Sequence, residues 1–207
     1  MKKRLALLLA VICSISMYGI DRPQPVHQEG VGAYYLKPTY KKSNKVKKGI
    51  QDWYVQDYRP VYYITTVGSG GNTISTHDET VWLISSRDAR KASRWVAETP
   101  ITITPNLSWF SSYDYRLVNQ ITRGSVEANL SQGPLMKYAL FIRRIDPYYG
   151  YIELEDNSQW KVDTGSRLYT WKIGQAILLG ENTSWFGRDY ILVNINENNY
   201  MTASRQY

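Results

Sequence analysis

IELEDNSQWKV, residues 152–162, repeats ISTHDETVWLI, residues 74–84, and the match continues beyond it. NTSWF (182–186) repeats NLSWF (106–110), and DYILVN (189–194) repeats DYRLVN (114–119). The copies stand 78 residues apart at Trp82 and Trp160, then 76 apart at Trp95 and Trp171 and at Trp109 and Trp185. At Tyr115 and Tyr190 the offset is 75. Two short deletions account for the whole alignment. A chain of 207 residues could form one large domain or two small ones, and the repeat decides for two.

Within each copy the pattern is that of short strands and tight turns. VYYITTV is rich in β-branched and aromatic residues, GSGGN turns the chain, and NTISTH and VWLIS flank Asp78-Glu79-Thr80. The second copy follows with ALFIRRI, DPYYG, YIELE, a turn at Asp156-Asn157-Ser158, and QWKV. Asp and Asn suit these turns because their side chains bond nearby backbone and tolerate unusual dihedrals. ITIT and AILL match as strands, as do DYRLVN and DYILVN, while VEAN and MTAS close the units. SRDARKASR is long enough for one or two helical turns but too short to be stable alone. Glu98 stands where the second copy has the turn glycine Gly174. About six short strands per copy predict an all-β chain of two tandem small β-barrels.

Units of 66 to 69 residues bury a modest share of their surface and need support. Cys13 is the only cysteine, and His27 and His77 are the only histidines, so neither disulfides nor a zinc-type ligand set is expected. Seven Trp and 18 Tyr must supply the packing. The two copies are therefore expected to lean on each other, and 61–130 alone to fold poorly.

Lys2, Lys3 and Arg4 followed by an apolar run over 5–12 and small residues at Ser14 and Ser16 read as an export signal ending at residue 16. The run is short for a membrane span. Retention as an anchor, or lipid attachment at Cys13, are the alternatives. A basic, largely flexible arm is expected over 17–60, the first barrel over 61–130, a linker over 131–138 and the second barrel over 139–207. The arm holds eight Lys and Arg against four Asp and Glu, whereas the two copies with their linker carry +1 and −1. The basic surplus is thus concentrated ahead of the barrels. Lys37, Lys41, Lys42, Lys45, Lys47 and Lys48 are a candidate surface for anionic lipid or acidic glycan, with a solubilising linker as the plainer reading. The tyrosines of GAYYLKPTY suit docking of part of the arm.

Candidate chemistry is sparse. His77 sits beside a turn and His27 in the arm, a poor setting for the base of a Ser–His–Asp site. GSGGN joins two strands rather than a strand and a helix, so it is no phosphate loop. Glu153, Glu155 and Asp156 are the one carboxylate group that could serve a glycan hydrolase. Glu153 and Glu155 would share one strand face, however, which suits solvation better than a facing pair. The most repeated box is N-x-S-W-F, which makes Trp109, Phe110, Trp185 and Phe186 candidate binding residues for a sugar ring or a partner surface. If that segment were extended, adjacent Trp and Phe would point to opposite faces. The expectation is burial of both in core and inter-unit packing. Asn106, Asn129 and Asn182 also form N-x-S sequons. Asp114, Asp189, Asn119 and Asn194 read as strand-end ligands for backbone groups.

The order D-x-[ST]-x-W, then W, then DY-x-LVN resembles tandem small β-barrel modules of exported bacterial proteins, and in size and strand count Src-homology-3-like barrels. The resemblance covers 61–204. It implies no catalytic residue, and by analogy with wall-binding barrels it implies peptide or glycan recognition. The reading is a non-enzymatic, exported binding or assembly module of the bacterial envelope, periplasmic or envelope-associated. It needs no metal or cofactor. Its expected partners are envelope glycan, anionic lipid or another envelope protein rather than nucleic acid. The alternative is an envelope-associated glycan hydrolase using the carboxylates.

Overall fold

The computed structural model describes residues 36–40 and 56–206. Two strands precede the repeats, β1 (Leu36–Tyr40) and β2 (Gln56–Pro60), paired antiparallel with Leu36 opposite Pro60. The stretch expected as a largely flexible arm therefore contains a described strand pair. The expected signal, Cys13, and five of the six candidate lysines (Lys41, Lys42, Lys45, Lys47 and Lys48) lie outside the described residues, while Lys37 belongs to β1.

Each copy closes into a six-stranded barrel in which every neighbouring pair is antiparallel. The first comprises β3 (Tyr62–Val67), β4 (Thr73–Thr76), β5 (Val81–Ile84), β6 (Pro100–Pro105), β7 (Tyr115–Asn119) and β8 (Ser125–Gln132), ordered β3-β4-β5-β8-β7-β6 around the wall. The second repeats that order with β9 (Leu140–Asp146), β10 (Tyr151–Leu154), β11 (Gln159–Val162), β12 (Ala176–Glu181), β13 (Tyr190–Asn194) and β14 (Asn199–Gln206). Two tandem small barrels are thus what the repeat produces. SRDARKASR supplies α1 (Ser86–Ala92), held by burial of Ala89 and Ala92 and by Asp88, whose Oδ2 accepts the Glu127 amide at 2.8 Å. The shorter second copy makes a 3-10 turn there, over Ser166–Thr170.

The repeated sequence box is a repeated set of hydrogen bonds. Asp78 is buried and accepts from the Thr80 amide at 3.2 Å and from the Thr80 hydroxyl at 2.8 Å, closing the β4–β5 turn. Asp156 does the same for Ser158, from its amide at 2.9 Å and its hydroxyl at 2.5 Å. Two residues on, each tryptophan enters its barrel against the tyrosine that opens the DY-x-LVN strand. Trp82 meets Tyr115 edge-on at 5.6 Å, and Trp160 meets Tyr190 edge-on at 5.3 Å. Such edge-to-face pairs add to the burial of the rings themselves.

Positive φ recurs at matching places: Glu79 and Asn157, Glu98 and Gly174, Arg123 and Asn198. The second copy has Asn or Gly at all three, residues that enter the left-handed region readily, whereas the Glu and Arg of the first copy enter it at a greater steric cost. Glu79 and Glu98 are exposed, so replacing them disturbs little packing. Glu79→Asn and Glu98→Gly are each expected to stabilise the chain by about 0.5–1 kcal/mol, read from the urea unfolding midpoint.

The barrels share a face. Along β13 every residue is buried, Tyr190 and Leu192 facing their own core and Ile191 and Val193 joining the core of the first barrel. Leu178 of β12 joins them. β9 pairs with β12 only at Ala176 and Ile177, leaving the rest of that edge open. The Tyr62 hydroxyl fills the gap. It donates to the Leu179 carbonyl at 2.9 Å and accepts from the Leu179 amide at 3.0 Å. At Gly180 a Cβ would stand 2.5 Å from the Ile103 carbonyl oxygen, so the backbones of β12 and β6 approach closely there.

At the same junction Tyr115 packs on Tyr200, with ring centres 6.0 Å apart, and its buried hydroxyl has no hydrogen-bond partner among the described residues. Burial pushes that hydroxyl well above the ordinary tyrosine value of 10.0, Asp114 and Tyr200 adding to the push and Arg167 opposing it. Tyr200 is raised as well, chiefly by burial. Both groups are acids held neutral by the fold. Their contribution to stability is therefore complete below about pH 10 and is lost as pH climbs above it, by up to about 1.4 kcal/mol per pH unit for the buried Tyr115 and by less for the half-exposed Tyr200. Tyr115→Phe should leave stability at pH 7 nearly unchanged and flatten the alkaline limb of the stability–pH curve.

Candidate functional site

Antiparallel order puts the β4–β5 turn and the β6–β7 loop at one end of the first barrel. It puts the β10–β11 turn and the β12–β13 loop at the matching end of the second. Those two loops carry the N-x-S-W-F boxes. In each, an asparagine follows the strand and ties the loop at its base: the Asn106 amide donates to the Asp114 carbonyl and the Asn182 amide to the Asp189 carbonyl, both at 2.9 Å.

The side chains of the same asparagines span the interior of the loops. Asn106 Nδ2 donates to the Tyr113 carbonyl at 2.9 Å, and Oδ1 accepts the Ser108 amide at 3.2 Å. Asn182 Nδ2 donates to the carbonyls of Arg188 at 2.7 Å and Phe186 at 3.0 Å, and Oδ1 accepts the Ser184 amide at 3.0 Å. Ser184 adds a hydroxyl bond to the Phe186 carbonyl, and Gly187 turns the chain at a φ of 96°. In the first loop Ser111 Oγ accepts the Tyr113 amide at 3.1 Å.

Each loop is also fastened to its barrel wall. Asn129 accepts the Asp114 amide at 2.8 Å and donates to the Ser112 carbonyl at 3.0 Å, and Asn106 donates to Glu127 at 3.3 Å. Arg188 donates to Asp163 at 3.1 Å and to Ser204 at 2.9 Å, while Thr202 donates to the other oxygen of Asp163 at 2.6 Å. All three sequon asparagines thus have their side-chain amides engaged in holding these loops.

The tips are bare. Trp109 is 96% exposed, Phe110 100%, Trp185 98% and Phe186 87%. The expectation that these four rings are buried in core and inter-unit packing is overturned. The reason is local: the box is a turn braced by asparagine, not an extended segment, so the two rings need not fall on opposite faces of a strand. The other recurring tryptophans, Trp82, Trp95, Trp160 and Trp171, are buried as the framework reading expects.

The remaining candidates, Glu155 apart, are engaged in structure. Glu153 lies 3.3 Å from Arg143, Asp156 closes its turn, and Glu155 is exposed. His77 Nδ1 accepts the Tyr63 amide at 3.1 Å. Asn119 and Asn194 each accept two amides of the following turn, as strand-end ligands would. Among the described residues no three His, Cys, Asp or Glu side chains gather as a metal site would require, and no helix is long and apolar enough to cross a membrane. Sequence reasoning missed a second set of exposed rings, Tyr148, Tyr149 and Tyr169, on the opposite end of the second barrel. They fall where the copies diverge, so the repeat drew no attention to them.

Comparison with protein-family models, with curated proteins and with solved structures gives no match to this chain.

Proposed function

We propose that this chain is a non-enzymatic, exported binding or assembly protein of the bacterial envelope that engages its partner through two braced aromatic loops. One observation carries the reading: four large rings stand almost wholly in water at matching places of two copies. Covering such a ring is worth about 1.5–3 kcal/mol. Leaving four uncovered forgoes that gain in the isolated chain, and the braces limit the ordering cost when a partner covers them. Two loops on one molecule also allow the second contact to form at high effective concentration.

The reading takes residues 1–16 as the export signal, and the barrels as SH3-like modules of the kind found in wall-binding proteins. Lys37, Lys41, Lys42, Lys45, Lys47 and Lys48 would add long-range attraction to an anionic surface. The test is a pull-down of the full chain against envelope fractions, with Trp109, Phe110, Trp185 and Phe186 changed to serine in one loop or in both. Capture should fall at least about tenfold when one loop is lost and vanish when both are. Undiminished capture by the four-fold variant would refute the role of the loops. Because none of the four rings is buried, the unfolding midpoint of the variant should stay at the wild-type value.

A further inference from the structure

We infer that the partner of the two aromatic loops is the interfacial zone of a lipid bilayer, a refinement that rests on the binding role proposed above. Three features of the loops favour it over a sugar or a protein pocket. The first is charge. Residues 107–113 and 182–187 contain no Asp, Glu, Lys or Arg; charge resumes only at the loop bases, with Asp114 in the first and with Glu181, Arg188 and Asp189 in the second. Arg188 is already joined to Asp163. The tips can therefore leave water without stranding an ion.

The second is polar accounting. A segment entering an apolar medium must bring its hydrogen bonds with it. Asn106 and Asn182 turn inward to amides and carbonyls of their own loops, and the serine hydroxyls at Ser111 and Ser184 do likewise. The exposed hydroxyls of Ser108, Ser112 and Thr183 need partners of their own, which the hydrated headgroup zone supplies.

The third is shape. Rings 87–100% exposed have almost nothing standing against them, so each tip is a convex wedge rather than one wall of a pocket. Leu107, half-exposed beside Trp109, extends the apolar tip of the first loop. Tryptophan with its apolar body and single N–H is favoured at the boundary between headgroups and acyl chains, and phenylalanine reaches further in. Because the contact is apolar, it should form on uncharged bilayers and survive high salt.

The experiment uses the full chain and phosphatidylcholine vesicles, in low and high salt, with Trp109 and Trp185 as reporters. Their signal is isolated by subtracting the spectrum of the variant with all four rings changed to serine. Vesicles should shift that difference emission to the blue and cut its quenching by iodide several-fold. Lipids brominated near the headgroup end of the chain should quench it. A local readout is needed because the apolar run over 5–12 can bring the chain to a membrane unaided. Binding of the chain with Trp109 and Trp185 still fully open to iodide would overturn the inference. Loop-dependent capture of an envelope glycan or protein, without any vesicle effect on the two tryptophans, would also overturn it while leaving the binding role intact. Loss of the loops without effect in either assay would overturn both.

Discussion

Replacing Ile191 by arginine should part the two barrels while leaving the second one closed. The matching residue of the first barrel is Arg116, which lies partly exposed and reaches Ser125 and Glu127. A barrel of this type therefore accommodates arginine at that place on its outer face. In the second barrel the same place is wholly buried, because Ile191 sits in the core of its neighbour beside Leu178 and Val193. An uncompensated charge there costs about 3–5 kcal/mol, and the isoleucine burial forgone adds about 2 kcal/mol. Separation relieves the first term but exposes Tyr62 and strands the Leu179 amide and carbonyl that its hydroxyl now serves. Guanidinium unfolding should break into two transitions, the earlier one well below the wild-type midpoint. A single transition at the wild-type midpoint would show that the shared face contributes nothing.

Trp160→Ala is expected to cost about 3–5 kcal/mol, the usual toll for emptying an aromatic site in a small core. The ring is fully buried, meets Tyr190 edge-on, and donates from Nε1 to Ser158 Oγ at 2.8 Å. Ser158 in turn donates to Asp156, so the same residue ties the core to the turn that closes β10 on β11. Trp160→Phe should recover part of the loss by restoring apolar contact without the N–H bond. Trp82→Ala should cost a similar amount in the first barrel, where Tyr115 is the partner ring. Chemical denaturation of the three variants is the measurement. A loss below about 1 kcal/mol for both alanines would contradict the idea that these tryptophans are the framework of each core.

Much of the fold was legible because the repeat shows each local requirement twice. The turn at Asp156-Asn157-Ser158 could be read from residue types, and so could its weaker form at Asp78-Glu79-Thr80. Gly174 marked a turn whose left-handed backbone Glu98 also adopts. The inter-barrel face was expected on grounds of size, and its location is written in the differences between copies. Thr102, Arg116 and Ser125 of the first barrel become Leu178, Ile191 and Tyr200 in the second. The pairing of β1 with β2 was not legible, since neither segment alternates and 15 residues separate them.

The candidate site was half legible. Its residues were singled out by recurrence, but their exposure was read the wrong way round. Residue type says that Trp and Phe belong inside, and that prior fails where an asparagine closes a short loop and points it outward.

By itself the sequence determined two all-β units, the residues at their cores and the turns that close them. Strand alternation and turn dihedrals are set within a few residues, so short-range pattern reports them. Only the tertiary structure decided which outer apolar face is covered by the neighbouring barrel and which rings remain in water. Both use the same residue types, and solvent access depends on what the rest of the chain places against them.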